Sequence, residues 1–297
     1  MEENNTMLQE EETKLTPESV QEEIRNTRHK MELPLYIICA VLGSLSALLL
    51  LRFSGRGSAY LVLSVISGII MILTILFVAI IQLYGIYSHN MSYSVKVSEN
   101  NFPEIYEKVK EFSYLLGLKK EPEVYVRQNN GVVNAYSAWI PGKTFIQLNA
   151  EIVDIGYMEH QDLNTVFFVL GHEMGHIYLH HVQIYYNILA ILVSFVPVIG
   201  PLVLFPMLSR AREYSCDRVA QALTDYENDL DCMMMLSTGR HLYKYVEADK
   251  YLEDINSNHG SIERLFRWII NFHSTHPIMP FRTMAVIDPE KKSGRLL

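Results

Sequence analysis

Two stretches of the chain carry no charged side chain: Leu33 to Leu51, and Gly57 to Ser88. Each meets the roughly 20 residues a helix needs to cross a hydrocarbon core. Neither shows a polar stripe at helical spacing, so burial in a soluble domain would leave no face for water. The pattern predicts a transmembrane hairpin over residues 33–90, with spans at about 34–52 and 59–87 joined by the polar turn Arg52–Arg56. Ahead of it, residues 1–32 form a polar acidic tail, in which residues 1–24, rich in Glu and poor in large apolar side chains, are expected to stay solvated. Within that tail, Thr16-Pro17-Glu18 has the capping pattern of a short polar helix.

Beyond residue 90 the periodicity becomes that of a globular domain, residues 91–297. Ile105, Val109, Phe112 and Leu115 stand at helical spacing and predict a helix from Phe102-Pro103 to about Leu116, closed by Gly117. Glu123–Arg127, Val132–Trp139 and Thr144–Leu148 read as three short strands. They are separated by turn sequences at Asn129–Gly131 and Pro141–Lys143. From Asp162 onward the pattern is helical almost to the end. The expected fold is mainly α with a small β-sheet.

Charge narrows the partners. A net charge of −8 offers no basic footprint, so nucleic acid is not an expected partner. Cys39, Cys216 and Cys232 build no disulfide framework and no CxxC pair. Arg25, Arg28, Lys30 and Lys96 on one side of the hairpin outnumber Arg52 and Arg56 in its turn. By the positive-inside rule this places the domain on the cytoplasmic side of the cell membrane.

The chemistry is concentrated in Val169–Ile177, where His172-Glu173-Met174-Gly175-His176 lies within an apolar-periodic helix. Histidines at i and i+4 project from one face and can share a metal ion. Glu173 stands one step round, where it can take a proton from a metal-activated water. A catalytic zinc site needs a third protein ligand. His180 and His181 do not suit, because a straight helix cannot bend three turns around one ion. The metzincin extension is also absent, with Leu179 and Val182 at its positions. These two histidines are expected at the surface or an interface. Glu213 and Asp217, four apart on a later helix, can supply a ligand and an acceptor for a ligand's ring N–H. Taken alone they would read as an acidic pair on a solvated face.

Together, His172–His176 and Ser209–Asp217 resemble the HtpX-like and CAAX-prenyl-endopeptidase-like gluzincins, whose two membrane segments also precede the motif. The resemblance covers about residues 34–285. It implies a gluzincin-type zinc peptidase with one Zn2+ per chain, held by His172, His176 and Glu213. Glu173 would be the general base and Asp217 the outer-shell carboxylate. Val133–Tyr136 resembles the family's edge strand, implying that Asn134 and Ala135 bind an extended substrate backbone. Thr275-His276-Pro277 with Arg282 resembles a late His-Pro motif, implying a catalytic His276 that supports the oxyanion and a substrate-side Arg282.

One further apolar run, Val182 to Ser209, lacks formal charge and contains Pro197, Gly200, Pro201 and Pro206. With His176 and Glu213 on one ion it must leave and return on the same side, and two crossings need about 40 residues. It is therefore expected to form a helical hairpin at about 184–208. The function expected is hydrolysis of peptide bonds in membrane or unfolded proteins, with the bilayer and a protein or peptide substrate as partners. A non-catalytic zinc protein and a prenyl-peptide endopeptidase stand as alternatives.

Overall fold

The computed structural model describes residues 15–25, 27–53, 58–224, 226–257, 260–288 and 294–296. The acidic residues 1–14 and the polar turn at 54–57 lie outside the described residues. Twelve helices and four strands follow in chain order among the described residues. They are α1 (Pro17–Ile24), α2 (Glu32–Phe53), α3 (Ser58–Tyr93), β1 (Val95–Lys96), α4 (Pro103–Leu115), β2 (Glu123–Arg127), β3 (Ala135–Ile140) and β4 (Lys143–Asn149). Then come α5 (Ala150–Asp154), α6 (Leu163–Tyr178), α7 (Ile184–Ser194), α8 (Phe205–Leu223), α9 (Tyr226–Thr238), α10 (Ala248–Ser257), α11 (Ser261–His273) and α12 (Met279–Ile287).

Thr16 caps α1 reciprocally: its hydroxyl accepts from the Ser19 N–H at 3.3 Å, and the Ser19 hydroxyl accepts from the Thr16 N–H at 3.1 Å. This helix does not belong to a solvated tail. Val20 and Ile24 are buried in the main core with Ile105, Val109 and Phe112 of α4, so the expected solvation of residues 1–24 is corrected at this helix. Two apolar side chains one turn apart were enough to dock a helix whose remaining residues are polar.

α2 and α3 are the two helices among the described residues long and apolar enough to cross a membrane. Their large side chains, Leu48 and Phe77 among them, are exposed along most of both lengths. They fit a transmembrane hairpin ahead of the domain. α3 runs on past any hydrocarbon slab and braces the sheet. Tyr87 packs on Tyr125 and Phe145, and Asn90 donates to the Tyr136 hydroxyl at 2.8 Å.

The sheet has four strands in the order β1-β2-β4-β3, one more than the expected three. β1 escaped the sequence reading because two residues show no alternation. β2 and β4 are parallel; the other two pairs are antiparallel, with Ala135 opposite Leu148. Among the described residues β3 is thus an edge strand, paired on one side only.

α7 and α8 carry the apolar insert. The chain breaks at residues 195–199, re-enters as a π-helical turn at Gly200–Leu204 and continues into α8. Leu189 and Val193 of α7 pack with Leu35 and Cys39 of α2 and with Leu208 of α8. The insert lies along the first apolar helix.

Candidate active site

Asp162 caps α6 by accepting the Thr165 N–H at 3.1 Å, and the helix then carries His172 and His176 on one face. Gly171 and Gly175 occupy the face turned to α8. A Cβ at Gly171 would lie 3.2 Å from Cα of Ala220, and one at Gly175 3.2 Å from Cα of Cys216. Glycine at both positions lets the α8 backbone approach closely, and this approach delivers Glu213 to the two imidazoles.

His172 Nε2 lies 3.4 Å from Glu213 Oε2, and His176 Nε2 lies 3.5 Å from Oε1. Donors held by a tetrahedral zinc at about 2.1 Å stand roughly 3.4 Å apart, so these three residues fit one zinc ion. Burial would raise the Glu213 carboxyl, but hydrogen bonding to His172 and His176 holds it well below the usual carboxylate range. It would therefore present as a charged ligand.

Each imidazole turns its other nitrogen to a partner. His172 Nδ1 lies 2.8 Å from Asp217 Oδ1. Asp217 in turn accepts from Arg282 Nε at 2.9 Å, with a second bond from the other arm of the guanidinium. Burial pushes the Asp217 carboxyl up, yet the Arg282 charge and the His172 bond outweigh it and lower the pKa to about 2. Arg282 was expected on the substrate side. Buried and committed to Asp217, it stands behind His172 instead.

His176 Nδ1 faces His181 Nδ1 at 3.1 Å. The expectation that His180 and His181 continue the same helix is corrected, because α6 ends at Tyr178. His180, at φ 64°, then reverses the chain. His180 is exposed, but His181 folds back beneath the site and is buried. Burial lowers its pKa to about 3, despite a hydrogen bond to Glu32, so the ring is neutral. Cys216 Sγ approaches the same nitrogen at 3.5 Å.

In front of the three residues a groove of about 330 Å³ is lined by Ala135 to Trp139 of β3 and by His172, Glu173, His176, Glu213 and His276. The unpaired edge of β3 borders it. Glu173 is buried at its floor, Asn134 is exposed at the start of the strand, and His276 enters from the loop before α12. His276 Nε2 stands 3.8 Å from Glu213 Oε1, with its side chain two-thirds exposed.

A protein-family model described as peptidase family M48 matches residues 99–289, from the loop after β1 to just beyond α12. The chain belongs to peptidase family M48. This is the family that contains the HtpX-like and CAAX-protease-like membrane zinc metallopeptidases, and membership makes the chain a metallopeptidase. No curated protein and no solved structure matches it.

The M48 domain holds functional neighbours that sequence reasoning missed. Arg210 is fully buried on α8 and donates to the carbonyls of Phe272, Ser274 and Leu296, which ties down the loop bearing His276. Arg210 falls inside the Ser209–Asp217 motif, but arginines beside acids usually mark a wet surface, and no role was read for it. Glu32, which bonds His181, lies ahead of the matched region and had no signal at all.

Proposed function

We propose that the chain is a membrane-anchored zinc endopeptidase. His172, His176 and Glu213 hold the ion, and α2 and α3 fix the domain to the cytoplasmic face of the bilayer. The reading rests on one observation: the three ligand atoms converge beside Glu173 and beside the unpaired edge of β3.

Zinc bound there would supply Lewis-acid polarisation of the scissile carbonyl and of the attacking water. Glu173 takes the water's proton and returns it to the leaving amine. Asp217 accepts the Nδ1–H of His172 and so keeps Nε2 free for the ion, while Arg282 holds Asp217 in place. His276, on its anchored loop, donates to the oxyanion as charge develops. The substrate adds as a strand to β3, held by main-chain bonds at Asn134 and Ala135. Such binding tolerates sequence and requires an extended backbone, so the substrates are unfolded stretches of membrane or soluble proteins. The chain accordingly divides into an N-terminal segment, the hairpin to about residue 90, and the peptidase domain beyond it.

Cleavage of casein by the detergent-purified protein tests the assignment. A zinc chelator should abolish cleavage, and stoichiometric zinc should restore it. Cleavage that survives full removal of the metal would refute it.

A further inference from the structure

His172 and His176 are backed differently. The first meets a carboxylate directly, whereas behind the second lies another imidazole and then a carboxylate from a distant part of the chain. His176 Nδ1 is 3.1 Å from His181 Nδ1, and His181 Nε2 is 3.0 Å from Oε1 of Glu32, 149 residues earlier. His181 and Glu32 are both buried. Glu32 is the first residue of α2, the first apolar helix.

A count of protons leaves one arrangement. For His176 to offer Nε2 to a metal, its Nδ1 carries the proton and donates it. His181 Nδ1 must then accept, so the His181 proton sits on Nε2 and is donated onward. Glu32 closes the chain as an ionised acceptor, since a carboxylate has no proton of its own to give. Ser215, two residues after Glu213 on α8, donates to the other Glu32 oxygen at 2.5 Å, and Arg28 pairs with the first. The approach to α2 is fixed to the same helix, because the His29 N–H donates to the Ser215 hydroxyl at 2.9 Å.

We propose that Glu32, acting through His181, is a positioning residue for the metal ligand His176, so that the first turn of the membrane anchor completes the outer shell of the peptidase site. The inference rests on His172, His176 and Glu213 being the zinc ligands. It makes the docking of residues 28–32 a condition for tight metal binding: with Glu32 withdrawn, His181 loses the acceptor that draws its proton to Nε2. The two imidazoles can then turn the same kind of nitrogen, donor or acceptor, toward each other.

The test uses full-length protein in detergent and reads zinc affinity by chelator competition, together with the visible spectrum of the Co2+-substituted protein. Glu32→Gln removes the charge with little change of shape. His181→Gln keeps an amide able to donate to Glu32 but takes away the ring nitrogen on Cγ that accepts from His176. Each should weaken zinc binding by roughly 10–100-fold, the range for such outer-shell partners, and shift the cobalt spectrum. The double variant should lose little more than either single one, because both cut the same chain. A purely structural role for Glu32 would lower the melting temperature of the metal-free protein and leave the cobalt spectrum unchanged. His172→Ala separates the relay from the ligand set on which it rests. Zinc lost in that variant but held at wild-type affinity in both Gln variants would overturn the relay and keep the ligands. Zinc retained by His172→Ala would overturn the ligand assignment itself. Two zinc ions per wild-type chain, one of them lost in Cys216→Ser, would also overturn the relay by placing a metal on His181 Nδ1.

Discussion

Nδ1 of His172 stands 2.8 Å from Oδ1 of Asp217, one turn beyond Glu213 on α8. A single helix therefore supplies both a ligand for the proposed zinc ion and the acceptor that would orient a second ligand on its neighbour. The spacing is what a helix needs to place two carboxylates at different depths of one site.

Asp217→Ala removes that acceptor and strands the buried Arg282 guanidinium. Zinc affinity should fall by roughly 10–100-fold, and the protein should also lose about 3–5 kcal/mol, the range for breaking a buried pair. Chelator competition and denaturant titration in detergent read the two losses separately. Unchanged affinity would mean that His172 is oriented by something else.

Gly175→Ala sets two effects against each other. Alanine favours an exposed helix by up to about 1 kcal/mol, but here its Cβ would meet Cα of Cys216 at 3.2 Å. Overpacking costs about 1–3 kcal/mol and should win. We expect a lower melting temperature and reduced zinc content; a raised melting temperature would show that α6 and α8 are not in such close contact.

Much of this site was legible because helical spacing is rigid. His172, His176, Glu213 and Asp217 could be assigned to faces from their numbers alone. The close approach of α8 at Gly171 and Gly175 was not read in advance, since a glycine names no partner helix. Legibility ended where the chain leaves a helix. The reversal at His180 returned His181 beneath the site, and extrapolating α6 had carried it outward. Glu32 depends on tertiary packing across most of the chain, and no local pattern announces such a contact. β1 was too short to show a period. Val20 and Ile24 were too few among glutamates to reveal a buried face.

The neutral His29 gives the protein a pH dependence of stability. Burial lowers its pKa from 6.5 to about 4, against a hydrogen bond to the Gly294 carbonyl. The unfolded chain then binds the extra proton between those values, so the His29 contribution to stability is complete above pH 6.5 and declines as pH falls towards 4, alongside one of the same sign from the buried His181. At about 1.4 kcal/mol per unit, the loss across that window is of order 1–3 kcal/mol. Melting temperatures measured from pH 7.5 to 4.5 should fall, and His29→Gln should flatten the slope. An equal slope in the variant would place the titrating group elsewhere.

Strand addition to β3 makes a prediction about substrates. Scrambling a cleaved peptide should alter its KM little. N-methylation at alternate residues removes main-chain donors worth about 0.5–1.5 kcal/mol each, and methylation in one of the two phases should raise KM by up to about tenfold. Equal tolerance of both phases would argue that side-chain pockets hold the substrate.

The most direct test of the central claim compares wild type with Glu173→Gln, measuring zinc content and casein cleavage on the same detergent-purified samples. One zinc per chain is expected in both, with cleavage in the wild type and a loss of at least about a hundredfold in the variant. A Glu173→Gln protein that binds zinc and cleaves at the wild-type rate would contradict the claim.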